Sequence, residues 1–167
     1  MENDSTFIAE VYNPDPKVWE KIKADILEME HEAFGDKAFT DEEMEGDFLN
    51  KKNTIVILKC NDKVIGFSYA RSLDEADEPG RESEINETVY LWNTVIANKY
   101  RGRHLVGKLA ETLEDELRRK GYSYMESYAV VKNNFAANIA KHYGDRVVKS
   151  EPKETGYGRQ MYFRIRL

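Results

Sequence analysis

The chain has a single cysteine, Cys60, among 167 residues, which excludes an intrachain disulfide framework and a cysteine-built zinc site. Four prolines and ten glycines are too few for a collagenous or Pro/Gly-rich low-complexity chain. No apolar run approaches the roughly 20 residues a helix needs to cross a bilayer, and the acidic N-terminus lacks a basic-then-apolar leader. A cytoplasmic chain with no membrane partner is the expectation. Positive charge is in deficit, with 25 Lys and Arg against 31 Asp and Glu and a net charge of -6. Phosphate-backbone binding generally needs a basic face, so nucleic acid is not expected as a partner. The three histidines, His31, His104 and His142, fall on separate predicted elements without ligand spacing, and no metal is expected.

Hydrophobic residues at 41 % still suffice for a folded core, and the length suits one domain spanning residues 1–167. Phe7 to Tyr12 reads as a strand stopped by Asn13-Pro14. Asp15 then stands as an N-cap with Pro16 at the first helical position, and Val18, Ile22, Ile26, Met29 and Ala33 form an apolar stripe with Trp19 at its edge. Gly35 stops that helix. Thr40 with Glu43 three residues on predicts a capped second helix, with Met44, Phe48 and Leu49 inward. Thr54 to Cys60 and Val64 to Ala70 form a hairpin around Asn61-Asp62-Lys63, and Cys60 at its end reads as a small buried side chain. An acid-rich segment with Pro79-Gly80 follows, predicted as a solvated loop. With the later segments the order becomes β-α-α-β-β-β-α-β-α-β-β. The fold class is α+β, a mixed and mostly antiparallel sheet of six to seven strands flanked by about four helices.

The informative stretch is Tyr90 to Gly121. An apolar run from Val89 to Ile96 leads into Tyr100-Arg101-Gly102-Arg103-His104, after which Leu105, Leu109, Leu113 and Leu117 recur every fourth residue. This is a strand, a basic turn and an amphipathic helix. The first-turn amides of a helix have no intrahelical acceptor and carry partial positive charge, so such a junction can hold an anion. Arg101, Arg103 and Lys108 add full charges. On an acidic protein a local basic patch suits a small anionic ligand. The chain lacks a Walker loop, a Gly-x-Ser-x-Gly elbow and the glycines of a dinucleotide fingerprint.

The element order, the turn, and Asn134 and Tyr143 on the following short helix together resemble the GCN5-related N-acetyltransferase (GNAT) superfamily over nearly the whole chain. The resemblance implies acetyl-CoA as co-substrate. Backbone groups of Thr94, Val95 and Ile96 would pair with its pantetheine arm. Arg101, Gly102, Arg103, His104, Leu105, Val106, Gly107 and Lys108 would cradle its pyrophosphate, and Asn134 would contact the pantetheine. Glu30-His31-Glu32-Ala33-Phe34 matches the turn of the family's first helix toward the acceptor, which makes Glu30 and Phe34 substrate-side residues. Two departures stand out: His104 and Val106 occupy positions where the family's Arg/Gln-x-x-Gly-x-Gly/Ala pattern has small residues. The spacing from Asn134 to Tyr143 is also two residues longer than usual.

Acetyl transfer to an amine needs a deprotonated nitrogen, a polarised carbonyl and a proton for the departing thiolate. By resemblance Tyr143 would be the general acid. The positions matched to the family's usual base are Trp92 and Ala129, neither of which accepts a proton, leaving Glu30, Glu87 and Glu126 as candidates. The expected activity is acetyl transfer from acetyl-CoA to a primary amine of a small molecule or peptide, by a monomer or homodimer. The alternative is a non-catalytic acyl-CoA-binding or interaction module on the same fold.

Overall fold

The structure is a computed structural model that describes residues 6–73 and 86–167; the acid-rich segment noted above lies almost wholly outside them. Its strands and helices are β1 (Phe7–Tyr12), α1 (Pro16–Phe34), α2 (Asp41–Leu49), β2 (Thr54–Cys60), β3 (Lys63–Ser72), β4 (Thr88–Ile96), α3 (Leu105–Arg119), β5 (Tyr124–Val130), α4 (Phe135–Tyr143), β6 (Val147–Thr155) and β7 (Gly158–Arg166). This is the order expected from the sequence. The seven strands run β1-β2-β3-β4-β5-β7-β6. β4 and β5 pair in parallel, while β1–β2, β2–β3, β5–β7 and β6–β7 are antiparallel. The fold is therefore GNAT-like α+β, with a mixed sheet and, among the described residues, four α-helices.

Two compact units make up the chain. One gathers Met1–Ala70 and Trp92–Glu116, the other Arg71–Leu91 and Leu117–Leu167. The boundary falls within β4 and within α3.

In the first unit α1 opens as its sequence predicts. The Asp15 carboxylate accepts from the amides of Lys17 at 2.7 Å and Val18 at 3.1 Å, with proline in the first turn. The helix ends at Gly35, whose φ of 55° suits a residue without Cβ. The buried face runs Trp19, Ile22, Ile26, Met29, Glu30. Trp19 is thus central to the stripe rather than at its edge, and Val18, one residue away, is exposed. α2 carries the full capping box: Glu43 N–H donates to Thr40 Oγ1 at 3.2 Å and Thr40 N–H to Glu43 Oε2 at 2.8 Å.

The two helices pack over β2 and β3, and Phe48 is the hub of the packing. Its ring lies 5.1 Å from Trp19, 5.5 Å from Tyr12, 5.7 Å from Phe67 and 5.8 Å from Tyr69. Burying one such ring stabilises the fold by about 1.5–3 kcal/mol. Two polar tips of this cluster are satisfied: Trp19 Nε1 donates to Glu45 at 3.0 Å and Tyr69 Oη to Asp47 at 2.8 Å. β3 passes close to the end of β4 because position 66 is glycine. A Cβ there would lie 2.6 Å from the Ile96 side chain and 3.0 Å from the Val95 carbonyl.

In the second unit β5 pairs with β7 over seven residues, Tyr124↔Arg166 to Val130↔Gln160, and α4 packs on both. Tyr90, Tyr128 and Tyr162 form a row of rings at 6.0 and 5.5 Å. β6 runs to Thr155 and meets β7 at the Gly156-Tyr157 turn.

Candidate active site

The β4–β5 ladder comprises three residue pairs, Thr88↔Tyr124, Val89↔Met125 and Tyr90↔Glu126. Thr94, Val95 and Ile96 come later along β4. Thr94 shares a 2.7 Å hydroxyl–hydroxyl hydrogen bond with Ser68, while Val95 and Ile96 are buried. The Ala97 amide donates to the Ile65 carbonyl at 2.9 Å, which holds the strand end just before the basic turn.

That turn encloses a small cavity of about 120 Å³ lined by Ile96, Tyr100, Arg101, Gly102, His104, Leu105 and Val106. Gly102 has φ 75° and His104 φ 58°. Left-handed residues interspersed in a turn can aim successive amides into one concavity, the nest geometry suited to anions. His104 therefore adopts the backbone conformation that glycine would favour at this family position; for a Cβ-bearing residue this costs about 1–2 kcal/mol. Val106 is exposed within the first turn of α3 and is among the residues lining the cavity.

The basic side chains do not all point the same way. Arg101 Nε donates to the Ile96 carbonyl at 2.9 Å, so this guanidinium closes the turn onto its own strand. The Arg103 guanidinium lies over the Tyr100 ring at 5.7 Å, and the Lys99 ammonium at 5.5 Å. Tyr100 also meets Phe7 edge-on at 6.2 Å. Gly107 and Lys108 continue the first turn of α3, where a Cβ on Gly107 would meet nothing within 4 Å.

Glu30 is 1 % exposed on α1. Its Oε1 accepts from the Phe39 amide at 3.2 Å and its Oε2 from Asn93 Nδ2 at 2.8 Å. Burial pushes its pKa up; the Phe39 amide, the Asn93 side chain and the nearby His31 pull the other way without reversing the shift. Glu32, one turn-edge further, accepts from the Asn98 amide at 3.0 Å. Phe34 is exposed at the end of the helix. Trp92, at a position matched to the usual base, stacks on Phe39 at 5.8 Å and 26°.

The remaining residues belong to the second unit. Asn134 has φ 59° and precedes α4, which starts at Phe135; its side chain makes no capping bond to the helix. Tyr143 closes α4, with the His142 ring edge-on at 4.7 Å and the Arg146 guanidinium over its own ring at 5.2 Å. Ala129 is buried on β5. Of the other carboxylate candidates, Glu126 is fully buried and accepts from Tyr162 Oη at 2.8 Å, with Arg164 at 3.6 Å. Glu87 is exposed, and its backbone carbonyl accepts from Ser123 and Tyr124. Among the described residues no group of three or more His, Cys, Asp or Glu could hold a metal, and no helix is long and apolar enough to cross a membrane.

Sequence reasoning did not single out Asn93 or Phe39. The available signal for Asn93 was an amide within the otherwise apolar run Val89 to Ile96. For Phe39 there was none, since its role comes from its backbone N–H.

The mixed sheet and the basic strand-to-helix turn on its central strand are the features expected of a GNAT-like acyltransferase. The sequence matches the acetyltransferase (GNAT) family over residues 19–144, and the chain belongs to that family of N-acetyltransferases. No curated protein matches it in sequence. Solved structures share the fold at low identity. YncA from Salmonella typhimurium, determined with its cofactor acetyl-CoA, is 16 % identical with a TM-score of 0.70, covering 95 % of this chain and 94 % of its own. NAA60 from Arabidopsis thaliana, in complex with a bisubstrate analogue, is 13 % identical with a TM-score of 0.70, covering 97 % and 99 %. The aminoglycoside 6'-N-acetyltransferase from Enterococcus faecium is 13 % identical with a TM-score of 0.68, covering 95 % and 96 %.

Proposed function

We propose that the chain transfers the acetyl group of acetyl-CoA directly to a primary amine of a small molecule or peptide. The observation that carries this reading is the basic turn, whose cavity between Ile96 and Val106 combines Arg101, left-handed backbone at Gly102 and His104, and the first-turn amides of α3. The donor set fits a pyrophosphate: backbone N–H groups, a helix N-terminus and cationic side chains. Arg101, Gly102, Arg103, His104, Leu105, Val106, Gly107 and Lys108 would hold it. Thr94, Val95 and Ile96 would offer backbone groups to the pantetheine amides, and Asn134 its side-chain amide.

Acetyl-CoA supplies the activated acetyl thioester when bound. The incoming nitrogen lone pair forms the C–N bond, the C–S bond breaks, and the sulfur leaves as thiolate. Tyr143 Oη gives that thiolate its proton, a phenol being able to donate while uncharged at rest. The acceptor ammonium gives one proton to solvent or a carboxylate before attack, and the nitrogen loses a second as the amide forms, which restores the Tyr143 phenol through solvent. Glu30 and Phe34 mark the side of α1 from which the amine approaches. The active chain works in the cytoplasm, as a monomer or homodimer.

The test is thiol release from acetyl-CoA across spermidine, kanamycin and a free-amino tetrapeptide, with melting measured with and without acetyl-CoA. A ligand at 100 times its dissociation constant adds about 2.7 kcal/mol of stability. Absence of any melting shift would overturn the cofactor reading. Tyr143→Phe should keep the shift and lose at least about tenfold in turnover; unchanged turnover would remove Tyr143 as the acid.

A further inference from the structure

We propose that Glu30 and Asn93 are positioning residues of the transfer site, clamping the segment after α1 to β4 so that Phe39 and Trp92 form a fixed aromatic wall on the amine side. The role as part of the transfer site rests on the proposed function; the clamp itself does not.

Each oxygen of Glu30 has its own donor, Phe39 N–H at 3.2 Å and Asn93 Nδ2 at 2.8 Å. The two bonds tie three separate pieces of chain to one carboxylate: the end of α1, the segment at residue 39, and the middle of β4. The carboxylate is 1 % exposed, so it reaches no acceptor in this arrangement and acts through what it holds. A buried carboxylate is expensive compared with an apolar residue of the same size. What this one secures is adjacent to it. Phe39, whose amide is clamped, stacks on Trp92, the residue preceding the clamping Asn93 in β4. Both rings are only partly buried and pack against the core. Glu32 reinforces the arrangement through the Asn98 amide, where the cofactor turn begins.

The clamp needs hydrogen-bond geometry, and a glutamine can supply it. Its oxygen can accept from Phe39 N–H and its amide can donate to Asn93 Oδ1 once that side chain flips. Glu30→Gln should therefore retain the wall, whereas Glu30→Ala should release it.

The readout is Trp92 emission in a Trp19→Phe background, with acrylamide quenching, on the full chain. Glu30→Ala should shift emission to the red and raise quenching about twofold or more, and Glu30→Gln should restore the parent values. Asn93→Ala, which removes one bond, should fall between them and serves if Glu30→Ala does not fold. Trp92 emission unchanged in both alanine variants, or altered equally in the glutamine variant, would overturn the clamp. With whichever of spermidine, kanamycin and the tetrapeptide is turned over, Glu30→Ala should raise the acceptor KM about tenfold, since small misplacements near reacting groups cost that much or more. The acetyl-CoA melting shift should remain. If Glu30→Gln loses activity as severely as Glu30→Ala while keeping the wall, Glu30 acts through charge and the positioning role is wrong. If the wild type turns over no amine, the proposed function fails and emission alone decides the clamp.

Discussion

Arg101 Nε donates to the carbonyl of Ile96 at 2.9 Å, five residues back along the chain. The first cation of the basic turn is thereby committed to the turn itself. A guanidinium can make this bond and still direct its other N–H groups outward, which an ammonium on a flexible stem cannot reproduce.

Removing that side chain should loosen the cradle before it affects the rest of the fold. Arg101→Ala and Arg101→Lys should both weaken acetyl-CoA binding, by about tenfold for alanine, in line with the ~1.5–3 kcal/mol of a hydrogen bond to a charged group. The check is the acetyl-CoA dissociation constant by calorimetry, with melting of the free protein as control.

His104 carries a local cost at φ 58°. Glycine adopts that conformation without a Cβ clash, so His104→Gly should stabilise the free protein by about 1 kcal/mol. In a domain of this size that is a melting rise of about 2–4 °C. His104→Ala keeps the Cβ and should give no such rise. Thermal melting of the two variants side by side distinguishes relief of backbone strain from loss of the imidazole.

Glu30 predicts a pH dependence whose sign is the reverse of a salt-bridged carboxylate. Burial raises its folded-state pKa above the ordinary 4.5, so the native state binds this proton more tightly than the unfolded chain. Its contribution to stability is fully present below 4.5 and is lost as pH rises through the raised folded value. Glu30→Gln is neutral throughout. The variant should match the wild type in acid and be the more stable near neutrality, which urea unfolding of both proteins between those conditions will measure.

Much of the fold was legible because local chemistry and tertiary structure agree. Asp15-Pro16 fixes the start of α1, Thr40 with Glu43 that of α2, and the Leu105 series the inward face of α3. The misplacements have particular causes. Val18 and Trp19 are adjacent, and either could begin a helical stripe; packing against Phe48 selected the indole. β6 runs to Thr155 through Lys149, Glu151, Pro152 and Lys153, residues of low strand preference that β7 holds in the ladder. The basic turn was visible from its charges and helix periodicity. The Glu30 clamp was not, since it joins residues 63 apart in sequence through a backbone amide and a side-chain amide.

β6 stands last in the strand order, and its alternating burial places every second residue toward solvent. Pro152 has no amide hydrogen to give an incoming strand, and Lys149, Glu151 and Lys153 set charges beside it. An exposed strand edge is where β-proteins polymerise, and proline and charge are the features that prevent it. Copies of this chain are thus kept from adding to one another's sheets through β6, a protection against fibrous self-association written into the segment that least resembles a strand.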